Sequence, residues 1–226
     1  EEDIMKANGE QFIIGSFFSD DIANHEKGMN RIGNLFITNE SYAKFEDLIN
    51  PMLTTLYEKK KRYSVTEFLR EIGLMLDDKH SILYQAARNN VPVFCPAITD
   101  GALGFHLYLF QQKHPDFIID VVRDFRTLIE WTTHDDKKGL IALGGGVSKH
   151  HAILAAMLTG GLEYAVYIST ARHTSGSMSG ATTQEAKSWG KIKDDSDAVT
   201  VTGDASVFFP LVIMRALDQL KEEGQL

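Results

Sequence analysis

Apolar residues recur at helical spacing over residues 42–60, interrupted by Pro51, and again over 66–76, where Thr66 is placed as the helix cap. Residues 1–60 are expected to be mostly helical, with a polar middle from 19 to 34. Beyond residue 80 the pattern changes, and helical stretches alternate with short apolar runs. Helices are predicted over 81–90, 101–112, 116–131, 150–159, 183–189 and 205–222, and strands over 91–95, 139–143, 164–169 and 198–201. The 116–131 helix carries a single stripe of Phe117, Val121, Phe125, Leu128 and Ile129. Strands that alternate with helices predict an α/β fold, a Rossmann-like parallel sheet with helices on both faces. The 226 residues, 43% of them hydrophobic, are enough for one core, and residues 1–226 are taken as one domain.

Polar and glycine-rich segments fall directly after the predicted strands. Asp100-Gly101 follows the first, Gly144-Gly145-Gly146 the second, Thr170-Ala171 the third and Gly203-Asp204-Ala205-Ser206 the fourth. In an open parallel sheet such loops share the carboxyl edge, where ligands bind. Glycine there lets the backbone approach a phosphate, and helix N-termini turn N–H groups toward an anion. The spacing does not match the full dinucleotide fingerprint, and glycine also serves simply to end strands.

The formal net charge of −8 argues against a nucleic-acid partner, because the one basic run, Lys59-Lys60-Lys61-Arg62, is short and suits a solvated helix end. An acidic surface suits a polyamine or a basic protein. No apolar stretch is long enough to span a membrane. A single cysteine, Cys95, fits a reducing, cytoplasmic setting and is expected to be a small core residue on a buried strand. The chain opens on Glu1-Glu2-Asp3 without an initiating Met, and a fragment or processed product is expected.

Lys191, in Ser188-Trp189-Gly190-Lys191-Ile192, is the candidate of greatest chemical interest. A lysine beside an indole can shed part of its hydration, which favours the free amine. A free amine can attack a carbon–nitrogen double bond. A solvated lysine after a turn is the competing reading, as Lys193 and Asp194 follow. Glu185 and Trp189 are four residues apart and share a helix face. Glu185 can anchor a cation there, or simply be solvated. His150-His151 opens a helix, and one of the two can carry a proton near neutral pH.

Taken together, the motifs resemble the deoxyhypusine synthase family. They are Asn30-Arg31-Ile32-Gly33-Asn34, Pro92-Val93-Phe94, Pro96-Ala97-Ile98-Thr99-Asp100-Gly101, Leu143-Gly144-Gly145-Gly146-Val147, Lys149-His150-His151, Tyr164-Ala165-Val166-Tyr167-Ile168, Ser188-Trp189-Gly190-Lys191-Ile192, Asp204-Ala205-Ser206 and Phe209-Pro210-Leu211. The resemblance implies a homotetramer with NAD at subunit interfaces, or an assembly with a separate N-terminal chain. It implies NAD-dependent transfer of the 4-aminobutyl group of spermidine, through an enzyme-lysine imine, to a lysine of the translation initiation factor 5A precursor. Lys191 is then the nucleophile and His150 the acid/base. Glu185 and Trp189 hold the amine, with Glu1, Glu2, Gly176 and Ser177 also at the substrate. NAD falls to Glu2, Asp100, Gly145, Thr170, Ala171, Asp204 and Ala205.

Three positions depart from the family pattern. Phe105 stands where a carboxylate is usual, Met178 interrupts the serines of the Ser/Gly loop, and Leu154 replaces an asparagine. A more apolar amine site would forfeit charge-assisted hydrogen bonds of roughly 1.5–3 kcal/mol each. Two alternatives therefore stand beside the first reading. One is a homospermidine-synthase-like transferase with a small-amine acceptor. The other is a non-catalytic regulatory paralogue.

Overall fold

The computed structural model describes residues 1–10 and 12–226. It divides into two compact units, Glu1–Asp124 and Phe125–Leu226.

The first unit begins with α1 (Glu2–Ala7), followed by β1 (Ile13–Ile14), α2 (Asp21–Glu26), β2 (Met29–Ile32), β3 (Leu35–Thr38) and α3 (Asn39–Lys59). The expectation of a mostly helical segment is corrected here. β1, β3 and β2 form an antiparallel sheet in that order. β2 and β3 pair from Ile32 opposite Leu35, which leaves a two-residue turn of Gly33-Asn34. Gly33 has φ 64, a left-handed value that glycine adopts without a Cβ penalty.

α3 presents Phe45, Ile49, Leu53 and Leu56 as one buried stripe, and Pro51 lies on its exposed side. β4 (Arg62–Ser64) leads into α4 (Val65–Met75), then come α5 (Ile82–Arg88), α6 (Ala102–Lys113) and β5 (Ile118–Asp120). β4 and β5 pair in parallel. Phe68, Leu69 and Ile72 of α4, Phe110 of α6, and Phe117 close the core over the α3 stripe. The cap of α4 is Ser64 and not Thr66. Ser64 and Glu67 form a reciprocal capping box, while Thr66 donates through both its N–H and its hydroxyl to the buried Asp124 carboxylate.

Residues 91–95 do not form the predicted strand. Pro92 and Pro96 bracket the run and lack the N–H groups a ladder needs. Cys95 is half-buried against the core, and burial pushes its thiol above the ordinary range, as expected of a packing residue. The predicted 116–131 helix is likewise split into β5 and α7 (Val121–Thr132), and the unit boundary falls within α7.

The second unit continues with β6 (Gly139–Leu143), α8 (Gly146–Leu158), β7 (Leu162–Ser169), α9 (Thr183–Ser188), β8 (Ile192–Thr202) and α10 (Ala205–Glu222). Its sheet is wholly parallel, in the order β6-β7-β8. Ile153 and Ala156 of α8 and Ala186 of α9 pack on Ala142, Leu162, Ala165, Tyr167 and Ile192. These small and branched residues let the helices approach one sheet face closely. The α/β architecture with parallel strands is as predicted. Among the described residues, no helix is long and apolar enough to cross a membrane.

Candidate functional site

Three of the four loops proposed to share one edge do so. β6 ends in the Gly144–146 run, β7 in Thr170-Ala171, and β8 in Gly203-Asp204, all at the carboxyl end of one parallel sheet. Gly144 N–H donates to the Ile168 carbonyl at 2.8 Å, and Gly203 N–H to the Ser169 carbonyl at 3.0 Å. Each loop is thereby tied to the neighbouring strand. Asp100-Gly101 is the exception. It belongs to the first unit, follows no strand, and Gly101 caps α6.

α8 starts at this edge with Gly145 as its cap residue and no side-chain cap bond. Its first N–H groups are therefore available to an anion. A Cβ at 145 would lie 2.4 Å from Ser179 Cα, so glycine is what allows the Ser/Gly loop to close over this turn. Asp204 caps α10 by accepting from Ser206 N–H at 2.7 Å, and Ala205 is the first helical residue. Ala171, Ser169 and Thr202 line a groove with His173, Thr200 and Lys149. Thr170 is exposed, as are Gly176 and Ser177, with Gly176 in a left-handed turn at φ 67.

Next to that groove, and sharing Lys149, Tyr167, Ala181 and Thr182 with it, is a cavity of about 160 Å³. It brings together Lys191, His150, Glu185, Trp189, Met178 and Ile153. Thr182 caps α9 by accepting from Glu185 N–H at 3.2 Å, and this helix sets Glu185 and Trp189 at the cavity. The backbone of Lys191 is pinned on both sides, its N–H by the Ala186 carbonyl at 3.1 Å and its carbonyl by Leu162 N–H at 3.1 Å. The solvated-lysine alternative is overturned: the residue is only 6% exposed, and its Nζ lies 5.1 Å from the Trp189 ring centre. Trp189 itself is exposed and forms the outer wall.

Two residues at this cavity were not singled out from the sequence. Lys149 is 5% exposed, and its Nζ donates to the Ala181 carbonyl at 2.8 Å and lies 4.4 Å from the Tyr167 ring centre. Burial holds it below the ordinary lysine range; the Lys191 ammonium adds to that, and Glu185 opposes it. The Tyr167 hydroxyl is buried without a hydrogen-bond partner, and burial pushes its pKa up to about 12. The sequence signal was alternation for Tyr167 and adjacency to the histidine pair for Lys149. Tyr167 falls on the same face of β7 as Ala165, and Lys149 adjoins His150 at the start of α8.

Glu1, Glu2 and Phe105 belong to the first unit. Glu1 Oε1 accepts from Leu103 N–H at 2.8 Å, at the start of α6. Glu2 lines a cavity of about 500 Å³ in the first unit, with Met5, Lys6, Glu10 and Asp78. Phe105 is exposed on α6. Of the three departures, Met178 alone is in the wall of the Lys191 cavity; Leu154 is on α8 outside it.

The deoxyhypusine synthase family model matches residues 1–216. A deoxyhypusine synthase from Senecio vernalis is 40% identical over 230 residues, covering 99% of this chain and 62% of that protein. A relative from Thermoplasma acidophilum, assigned the same name, is 41% identical over 203 residues, covering 89% of this chain and 66% of its own length. A crystal structure from Entamoeba histolytica, assigned as a deoxyhypusine synthase, superposes with a TM-score of 0.64 at 27% identity, over 94% of this chain and 60% of that one. The chain thus spans less than two thirds of the length of these relatives. With a family model matching nearly the whole length, the chain belongs to the deoxyhypusine synthase family.

Proposed function

We propose that this chain serves in NAD-dependent transfer of the 4-aminobutyl group of spermidine to a lysine of the translation initiation factor 5A precursor, forming deoxyhypusine. Residues 1–226 are proposed to work as one catalytic domain, in the cytoplasm, within a tetramer or with a further chain. The observation that carries the reading is Lys191, buried against Trp189 in a cavity shared with His150 and Glu185.

The carboxyl edge suits a dinucleotide. The uncapped N-terminus of α8 and the side-chain-free Gly145 fit a pyrophosphate, and Thr170, Ala171, Asp204 and Ala205 stand beside it. Glu2 and Asp100 are proposed to add to the same cofactor. When bound, NAD would take a hydride from the spermidine secondary amine to give an imine and return it to the imine on the acceptor lysine, so that deoxyhypusine forms with no net oxidation. This chain's residues do the rest. Glu185 faces a cationic amine, Trp189 excludes water, and His150 holds or returns a proton. Glu1, Glu2, Gly176 and Ser177 complete the proposed substrate contacts. The Lys191 amine attacks the imine carbon, 1,3-diaminopropane leaves, and the four-carbon group is held as a Lys191 imine until the acceptor lysine takes it.

Incubation with NAD and radiolabelled spermidine, followed by borohydride and peptide mapping, is expected to place the label on Lys191. Lys191→Ala should lose it while NAD binding remains. Label in full on that variant would end the proposal. Met178 in the cavity wall favours a second reading, in which the acceptor is a small amine such as putrescine. Competition between putrescine and the protein acceptor separates the two. Activity only in a mixed assembly would instead mark a regulatory paralogue.

A further inference from the structure

The groove at the sheet edge and the Lys191 cavity have four residues in common, Lys149, Tyr167, Ala181 and Thr182. In the proposed reaction a hydride leaves the donor carbon next to the secondary amine, and Lys191 then attacks that carbon. The carbon must therefore face the groove and the cavity together, and these four residues form the boundary where it can. Three of them have polar groups already engaged. Lys149 Nζ donates to the Ala181 carbonyl at 2.8 Å. Thr182 Oγ1 accepts from Glu185 N–H at 3.2 Å as the cap of α9. Tyr167 is different. It is 1% exposed, and its hydroxyl is buried with no hydrogen-bond partner among the described residues. The ring is fixed in place, packed in the core of the second unit with the Lys149 ammonium 4.4 Å from its centre. A buried hydroxyl left unpaired is destabilising, and folded proteins hold few of them. Here the unpaired oxygen stands on the wall between two ligand sites, open to a donor that a ligand brings.

We infer that Tyr167 contacts the substrate: its hydroxyl oxygen accepts a hydrogen bond from the secondary amine N–H of the donor and holds the adjoining carbon between the groove and Lys191. Glu185, on the exposed side of the cavity with Trp189, is left for the primary ammonium. The donor is thus recognised through two nitrogens, one at the mouth and one at the inner wall. No proton or electron moves at Tyr167. Burial raises its pKa to about 12, so the hydroxyl stays protonated over the physiological range. The role deepens the proposed function and rests on it.

The test is calorimetry of spermidine and of butylamine, without NAD, on the whole chain and on Tyr167→Phe. Butylamine keeps a primary ammonium and four carbons but lacks the second nitrogen. The variant is expected to bind spermidine about tenfold more weakly than the parent, as fits the loss of one hydrogen bond. It should bind butylamine equally well, and its urea midpoint should not fall. With NAD and spermidine added, its rate of NADH formation should drop by a similar factor. Equal spermidine affinity in the two proteins, or an equal loss for both amines, would overturn the inference. A lower urea midpoint would do the same, because it would give the hydroxyl a structural partner. If the parent binds no spermidine, the functional reading fails and this one fails with it. If the contrast between the amines holds while Lys191 takes no label, transfer through Lys191 fails and the Tyr167 contact stands.

Discussion

At the residue scale, the cavity around Lys191 is held by groups that differ in what they cost. Tyr167 buries a hydroxyl with no partner. An unmade buried hydrogen bond is a penalty of about 1–3 kcal/mol, whereas an apolar group of the same shape is nearly neutral. Tyr167→Phe is therefore expected to leave stability unchanged or raise it by up to about 1 kcal/mol in urea unfolding at pH 7. The sign against pH follows from the raised pKa. The folded state holds the phenol proton to about 12, above the unfolded value of 10.0. The resulting stability is present below 10.0 and lost as pH rises toward about 12. The phenylalanine variant should lose that alkaline decline, and a thermal melt series above pH 9 checks it.

At the element scale, short polar motifs decide where helices begin and loops turn. Ser64 accepts from Glu67 N–H at 3.2 Å while Glu67 Oε2 accepts from Ser64 N–H at 2.9 Å. Ser64→Ala should cost about 0.5–2 kcal/mol, measurable as a lower denaturation midpoint. Amide hydrogen exchange in α4 should also rise first at its N-terminal turn. The Ser-x-x-Glu signature is legible in the sequence and competes there with Thr66 as a cap. Thr66 is drawn away because Asp124, distant in sequence and buried, accepts from it. The Gly33-Asn34 hairpin turn lies in the polar middle of a stretch expected to be helical, where composition hides two four-residue strands. β4 and β5 were harder to see, since each is three residues long and gains definition only from pairing with the other.

At the scale of the whole molecule, acid stability draws on several paired carboxylates, of which Glu163 in the second unit carries the largest shift. Glu163 is held to a pKa of about 2, first by the Lys193 ammonium and then by Lys138 N–H. Its folded value lies below the unfolded value of 4.5, so its contribution is full above 4.5 and disappears as pH falls toward about 2. Glu163→Gln should therefore flatten the decline in melting temperature between pH 5 and 2. A melt series that declines as steeply as the parent would assign the acid response to other carboxylates.

What the sequence determined by itself was local and periodic. β6 was predicted at its observed bounds, as was α10, because an apolar run bounded by glycines and an amphipathic stretch behind a cap need no distant partner to be recognised. The lysine motif, the serine–glycine loop and the glycine run were likewise visible as strings. Tertiary structure decided which of them meet. It gathered Lys191, His150, Glu185 and Trp189 at one cavity, and added Lys149 and Tyr167. It left Asp100 behind no strand, because a run bracketed by prolines has no ladder to join. It also settled that Lys191 is buried. Burial and proximity are properties of packing between segments far apart in the chain, and no window of sequence carries them.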